Sequence, residues 1–394
     1  MSCHEIYFDH AATTFTRPEV MAKMLPYFAQ SYGNASSVYA LARASRFALD
    51  NSRKIVASVL NAESNEIFFT ASGSEADNWA LKGVMAANKS KGNHIITTAI
   101  EHHAILHTCE YLEKNGCEVT YVPVDEYGMV SVKDIENAIK DNTVMISVMF
   151  ANNEVGTIQP IAEIGKLARE KGILFHTDAV QAMGHVKIDV KEMNIDLLSM
   201  SAHKFNGPKG VGALYIRKGV KIDNLIHGGG QERKRRAGTE NIPGIVGMAE
   251  ALKIADENME TENANLIRMR DRIIKEIMTN IPYVKLNGHP TKRLPGNVNL
   301  SFEFIEGESL LLSLDMKNIY ASSGSACTSG SLDPSHVLLA MGISHEIAHG
   351  SLRISLGYEN TDDDIDCLFS VLPEIVDRLR NMSPLYEKVL KGEK

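Results

Sequence analysis

The sequence predicts an α/β protein: a mostly parallel sheet covered by helices on both faces, followed by a smaller α+β part. Three observations predict it. Short apolar and β-branched runs alternate with helix-period stretches through the first two thirds of the chain. Polar clusters fall just after those runs, at the edge where such a sheet binds its ligand. After Gly230 the alternation gives way to one long amphipathic stretch and then to mixed strands and helices.

In order, helical patterns cover 17–30 and 37–60, Ile67–Thr70 reads as a strand, and a helix follows over 74–88. His94–Thr98 is the next strand and leads into a helix ending near 115, followed by strand Glu118–Val122. Residues 144–150, within the longest core-like run, read as a buried strand, with a helix near 161–171. Strands are expected at 173–177, Leu197–Ser201 and Gly212–Ile216. Beyond them, 245–279 is helical, strands cover Asn297–Phe302 and 352–355, and helices cover 307–316 and 362–382. Residues 321–334, ASSGSACTSGSLDP, are a Ser/Gly-rich loop. The expected division is a large cofactor-binding domain over 15–260 and a small domain from 1–14 and 261–394, which carries that loop.

Composition narrows the function classes. The 394 residues are 44% hydrophobic and 23% charged, an ordinary globular balance. A net charge of −8 argues against general affinity for nucleic-acid backbones. No apolar run approaches the roughly 20 residues that span a bilayer. The first residues, MSCHEIYFDHAATT, have no basic stretch before an apolar one, so no signal peptide is expected. The five cysteines include no C-x-x-C pair, which leaves neither a zinc nor a thioredoxin-like motif and suits a reduced cytoplasmic protein.

Each polar cluster admits a chemical and a structural reading. Lys204, in SAHK before a Gly/Pro-rich turn, could carry a Schiff base if desolvated, or be a solvated loop lysine. Asp178, in HTDAVQ, could hold a pyridinium nitrogen, with Gln181 donating to a phenolate, or could cap a helix. Ser72, Gly73, Ser74 and Glu75 at a strand–helix junction could cradle a phosphate, form a capping box, or do both. His102, His103 and His107 could stack on a ring or pack in a core; without H-E-x-x-H or a third ligand no metal site is expected. Cys327, in SGSACTSG, could be an exposed nucleophile or an incidental thiol, and the other cysteines read as structural or neutral. Arg353, amid a β-like apolar run, needs an anion, either a substrate carboxylate or a protein acid.

Taken together and in this order, the motifs resemble those of the pyridoxal-phosphate cysteine desulfurases, the NifS-like and IscS-like family, almost end to end. The stretches are DHAATT at 9–14, GNASS at 33–37, residues 72–78, Glu101 with His102, ANNEVG at 151–156, HTDAVQ at 176–181, residues 201–210, RRAGTEN at 235–241 and SSGSACTSGSLDPSH at 322–336. The last marks the branch with a long catalytic loop. The resemblance implies fold type I of the pyridoxal-phosphate enzymes, a homodimer, and conversion of L-cysteine to L-alanine. It further implies Lys204 as the Schiff-base lysine and proton carrier, Asp178 on the pyridine nitrogen, Gln181 on the phenolate and His102 on the ring. Gly73, Ser74, Ser201 and His203 would hold the phosphate, with Thr239 reaching in from the other subunit. Asn153 and Arg353 would hold the substrate carboxylate. Cys327 would take the sulfur as a persulfide and pass it to an iron–sulfur scaffold or another acceptor, with no membrane or nucleic acid involved. Departures from the family pattern are small: Ser74 where Thr is usual, His103 after His102 where Pro or Lys is frequent, and Asn206 at a variable position. An aminotransferase or selenocysteine lyase on the same fold, a non-catalytic metal-binding scaffold, and a nucleic-acid patch at 233–236 are the competing readings.

Overall fold

A computed structural model describes residues 4–323 and 334–392. Cys327 and most of the Ser/Gly-rich loop therefore lie outside the described residues. The main sheet has seven strands in the order Ile67–Thr70, Gly212–Ile216, Leu197–Ser201, Leu174–Asp178, Thr143–Ser147, His94–Thr98 and Glu118–Val122. Gly212–Ile216 runs antiparallel to both of its neighbours, and the other pairings are parallel. The reason is connection length. The parallel strands are joined by long crossovers, whereas only residues 202–211 link Leu197–Ser201 to Gly212–Ile216, too few for a helical crossover.

Apart from Glu118–Val122 at one edge, nearly every strand residue is buried, which is why these strands read as unbroken apolar runs. The strand expected over 144–150 ends at Ser147, yet Val148 and Phe150 still donate to the carbonyls of His176 and Asp178. The chain thus stays pinned to its neighbour as it leaves the sheet.

A second, antiparallel sheet has Asn297–Phe302 between Ser351–Ser355 and Val284–Leu286, and Ile6–Tyr7 pairs in parallel with Ile319–Tyr320. Helix Ile242–Asn280 belongs to both cores: Ile242, Met248 and Leu252 pack with the large sheet, while Leu266, Ile273 and Ile277 pack with the small one. Its start is set by Asn241, whose side chain accepts from Gly244 N, and by a proline in the first turn. Among the described cysteines, Cys109 is a buried free thiol and Cys117 a half-buried one. Cys367 is disulfide-bonded, the structural of the two readings left open for it.

One segment departs from ordinary backbone. Within Gln231–Lys234, Glu232, Arg233 and Lys234 have φ of 42°, 57° and 66°, a left-handed turn built without glycine. Such a conformation costs roughly 1–2 kcal/mol per residue, so something must hold it. Arg53 does: its Nη1 and Nη2 lie 2.7 and 2.8 Å from the two carboxylate oxygens of Glu232. Glu232 also accepts from Phe69 N at 3.1 Å, while Arg53 and Arg233 both donate to Ile67 O at 2.6 Å. The pair is almost wholly buried, with side-chain exposures of 7% and 2%. Replacing Arg53 with Met would strand a buried carboxylate, and we predict a loss of about 3–5 kcal/mol. Urea unfolding of wild type and variant measures it; a difference below about 1 kcal/mol would mean that the turn needs no pin.

Candidate active site

The carboxyl ends of the parallel strands converge on one cavity of about 370 Å³. The chain after Ile67–Thr70 supplies Ser72, Gly73 and Ser74, and the chain after His94–Thr98 supplies His102. Beyond Thr143–Ser147 come Met149, Ala151 and Asn153; Asp178 ends its strand and Gln181 follows; Ser201, His203 and Lys204 close the ring. Arg353 enters from the small sheet, and Ala11 and Ala12 from the N-terminal segment.

The cradle is the start of helix Gly73–Ala87. Ser72 caps it by accepting from Glu75 N at 3.0 Å, and Glu75 returns a carboxylate oxygen to Ala71 N at 2.9 Å. The first-turn N–H groups of Gly73 and Ser74 lie outside the helix's own ladder and suit an anion. A Cβ on Gly73 would sit 2.7 Å from Val180 Cγ2, so no side chain fits at this point of the cavity wall. The capping role of Ser72 is thus present, and the same turn lines the cavity.

Across the cavity, Asp178 turns one oxygen back to Val180 N at 2.9 Å, so it also serves its own loop. Burial pushes its carboxyl above the usual range; the Val180 N–H and the Lys204 cation oppose that push. Lys204 Nζ donates to the carbonyls of Ala11 at 2.5 Å and Ala12 at 2.7 Å, and Gln181 Nε2 donates to Ala11 O at 2.9 Å. The lysine is thus aimed into the site rather than solvated.

His102, not His103, faces the cavity. It is also the N-cap of helix His103–Lys114, its Nδ1 accepting from Ala104 N at 3.1 Å. In the neutral ring that bond puts the proton on Nε2. Burial holds its pKa down to about 4, helped by the Lys204 cation and the neighbouring histidines. His103 instead stacks on His107 and packs at a tilt against His336, with ring centroids 4.9 and 4.8 Å apart. Among the described residues, no group of three or more His, Cys, Asp or Glu is arranged to hold a metal. His203 Nδ1 lies 3.0 Å from Thr13 Oγ1, and burial holds this ring too at about 4.

Arg353 is 2% exposed. Nη2 lies 2.8 Å from Asp9 Oδ1 and Nη1 donates to Asn153 O at 3.1 Å, while buried Nε has no hydrogen-bond partner among the described residues. The protein acid considered from sequence is therefore real, and the paired Arg353 still lines the cavity. Thr239 does not line this cavity; it lines a separate cleft with Arg236 and Gly238. The basic run at 233–236 is largely engaged internally: Arg233 lies over the Phe68 ring at 4.4 Å, and Arg236 forms a two-point pair with Glu75. That disposes of the nucleic-acid reading for these two side chains.

Sequence reasoning attached no role to Asp9, Ala11, Ala12, Asp77 or Glu101. Asp9 and the Ala11 and Ala12 carbonyls sit in DHAATT, a matching stretch to which the motifs attach no role. Asp77 lines the cavity three residues after Ser74, on the same helix face, which a periodicity argument could have found. Burial raises its carboxyl well above the usual range, and the charge of Asp178 adds to that. Glu101 lies beneath His102 and accepts from Thr98 Oγ1 at 2.7 Å and Met149 N at 2.9 Å.

Burial pushes Glu101 up to about 8, from 4.5. Between those values the native chain holds a proton that the unfolded chain has lost, so this group's contribution to stability falls as pH rises. Glu101→Gln keeps an acceptor oxygen and removes the titration. We predict that, from about pH 5 to about pH 8, wild type loses stability relative to the variant by up to about 1.4 kcal/mol per pH unit. Urea unfolding of the apoprotein checks this, and parallel pH profiles would refute it.

Comparison with known proteins places the chain. The class-V aminotransferase family pattern matches residues 6–368. A protein named cysteine desulfurase IscS from Clostridium botulinum is 63% identical over 391 residues, covering 99% of this chain and 98% of that protein. A solved structure titled NifS-like protein superposes with a TM-score of 0.90 at 39% identity, covering 95% of this chain and all of the other. Another, titled SspA in complex with cysteine, gives 0.80 at 38% identity, with 90% of this chain and all of that one covered. The chain belongs to the class-V aminotransferase family and, within it, to the pyridoxal-phosphate-dependent cysteine desulfurases of the NifS and IscS type.

Proposed function

We propose that this enzyme binds pyridoxal 5′-phosphate in the cavity and converts L-cysteine to L-alanine, holding the sulfur as a persulfide on Cys327. The observation that carries the reading is the convergence of Lys204, Asp178, His102 and Arg353 on one cavity beside a helix N-terminus. The fit to the cofactor rests on the donor set. Gly73, Ser74, Ser201 and His203 would suit a phosphate, Asp178 a protonated ring nitrogen and Lys204 a Schiff base, and all of them line the one cavity. When bound, the cofactor supplies an electron sink that acidifies the substrate Cα–H and weakens the Cβ–S bond.

The chain's own residues do the rest. With the cofactor bound, Asp178 would keep a proton on the ring nitrogen, Gln181 would donate to the phenolate oxygen and His102 would pack on the ring. Arg353 and Asn153, which both line the cavity, orient the substrate carboxylate, and Lys204 Nζ moves the proton at Cα. The Cys327 thiolate attacks the substrate sulfur. The S–S bond forms as the Cβ–S bond breaks, and its electron pair stays with the carbon skeleton that leaves as alanine. The persulfide then passes to an acceptor, such as an iron–sulfur scaffold protein.

The expected assembly is a homodimer in which Thr239 of each copy completes the phosphate site of the other; a separate cleft for Thr239 in the single chain agrees with that. A large domain over 15–260 and a small one from 1–14 and 261–394 are supported by the helix that gives Leu252 to one core and Leu266 to the other. A cytoplasmic setting would keep Cys327 reduced, and no helix of the described residues is long and apolar enough to cross a membrane.

The decisive experiment mixes purified protein with pyridoxal phosphate and L-cysteine and measures alanine and sulfide. We expect both in wild type, and neither from Lys204→Ala, which should also lack absorbance near ~420 nm. Cys327→Ser should bind cofactor and cysteine yet form no persulfide; sulfide release at the wild-type rate without added thiol would overturn its role. Arg353→Lys, which loses the fork geometry, should lower kcat/KM about 100-fold with the cofactor spectrum unchanged.

A further inference from the structure

The pinned left-handed turn has a purpose that the reaction does not use directly. It reverses the chain so that Arg236 meets Glu75, with Nε 2.8 Å from one carboxylate oxygen and Nη2 3.0 Å from the other. Both side chains are mostly buried, at 19% and 13% exposure. Glu75 is the third residue of the cradle helix, directly after Gly73 and Ser74, which line the cavity. Its carboxylate holds Ala71 N, one residue before the Ser72 cap, and so supports the very turn that forms the cradle. That same negative charge, one helical turn from the cavity, opposes any dianion bound there and cancels part of the helix's own attraction for it.

We propose that Arg236 is a positioning residue of the anion site: it neutralises Glu75, so that the cap shapes the cradle without repelling the phosphate. The inference rests on the reading that a phosphate-bearing cofactor occupies this cavity. Arg236 itself does not line the cavity, so it acts through Glu75 rather than by touching the phosphate in its own chain. The Arg53/Glu232 pin makes the contact possible by fixing the backbone two to four residues before Arg236.

A double-mutant cycle on the full-length apoenzyme tests this, titrated with pyridoxal phosphate and, separately, with pyridoxal, which lacks the phosphate. Arg236→Gln should weaken pyridoxal phosphate binding about tenfold and leave pyridoxal within about twofold. Glu75→Gln added to Arg236→Gln should bring pyridoxal phosphate affinity back to within about threefold of wild type. A structural or direct phosphate-binding role for Arg236 would not be rescued by removing a carboxylate. Arg236→Lys, which keeps the charge, should fall between wild type and Arg236→Gln and serves if the Gln variant does not fold. Wild-type affinity in Arg236→Gln, equal losses for both ligands, or a double variant no tighter than the single one would overturn the inference. A wild-type apoenzyme that binds pyridoxal but gains nothing from the phosphate would instead overturn the cofactor reading, and this inference with it.

Discussion

Everything at the site depends on one short segment, residues 9–14, whose turn at 10–12 lies at the carboxyl edge of the large sheet. Asp9 holds Arg353 of the small sheet at 2.8 Å. Two residues on, the Ala11 and Ala12 carbonyls hold Lys204, and Ala11 also holds Gln181. Thr13 meets the His203 ring, and Thr14 bonds the His203 carbonyl through both its N–H and its hydroxyl. A single short stretch of backbone thus sets the distance between the guanidinium that faces a carboxylate and the amine that does the chemistry. Backbone carbonyls suit this role because they accept from an ammonium without adding a competing full charge.

Burial is the second organising force, and it acts on charge in opposite directions. It pushes the imidazoles of His102, His203 and His176 down, so they are neutral at physiological pH. It pushes the carboxyls of Asp77, Asp178 and Glu101 up. The cavity wall is therefore less charged than its residue types suggest. Opposite charges buried near the site are paired: Arg353 with Asp9, Arg53 with Glu232 and Arg236 with Glu75. His176 illustrates the restraint: it occupies a promising motif, yet its ring is a strut between Ser147 and Ser199 on the neighbouring strands.

The same logic accounts for the left-handed turn at 232–234. A strained backbone persists only where its surroundings over-determine it. Here a buried two-point ion pair, a main-chain N–H and a stacked guanidinium supply that support. The result ties the strand Ile67–Thr70, and so the cradle that follows it, to the segment carrying Arg236 and Thr239.

Local pattern carried the architecture a long way. Ile67–Thr70, His94–Thr98, Glu118–Val122, Leu197–Ser201, Gly212–Ile216 and Asn297–Phe302 are strands with the bounds their periodicity predicts, because side-chain alternation and burial are properties of neighbouring residues. The motifs after those strands likewise named Lys204, Asp178 and His102, since chemistry at a sheet edge demands particular residue types just past a strand end. What pattern could not supply were relations between residues far apart in the chain. Asp9 and Arg353 are separated by 344 positions, Ala11 and Lys204 by 193, and Arg53 and Glu232 by 179. The stacking of His103 on His107, the acid that pairs with Arg353 and the cation that pairs with Glu75 were all settled by packing. Hydrogen bonds and desolvation depend on distances in space, and those exist only once the chain has folded.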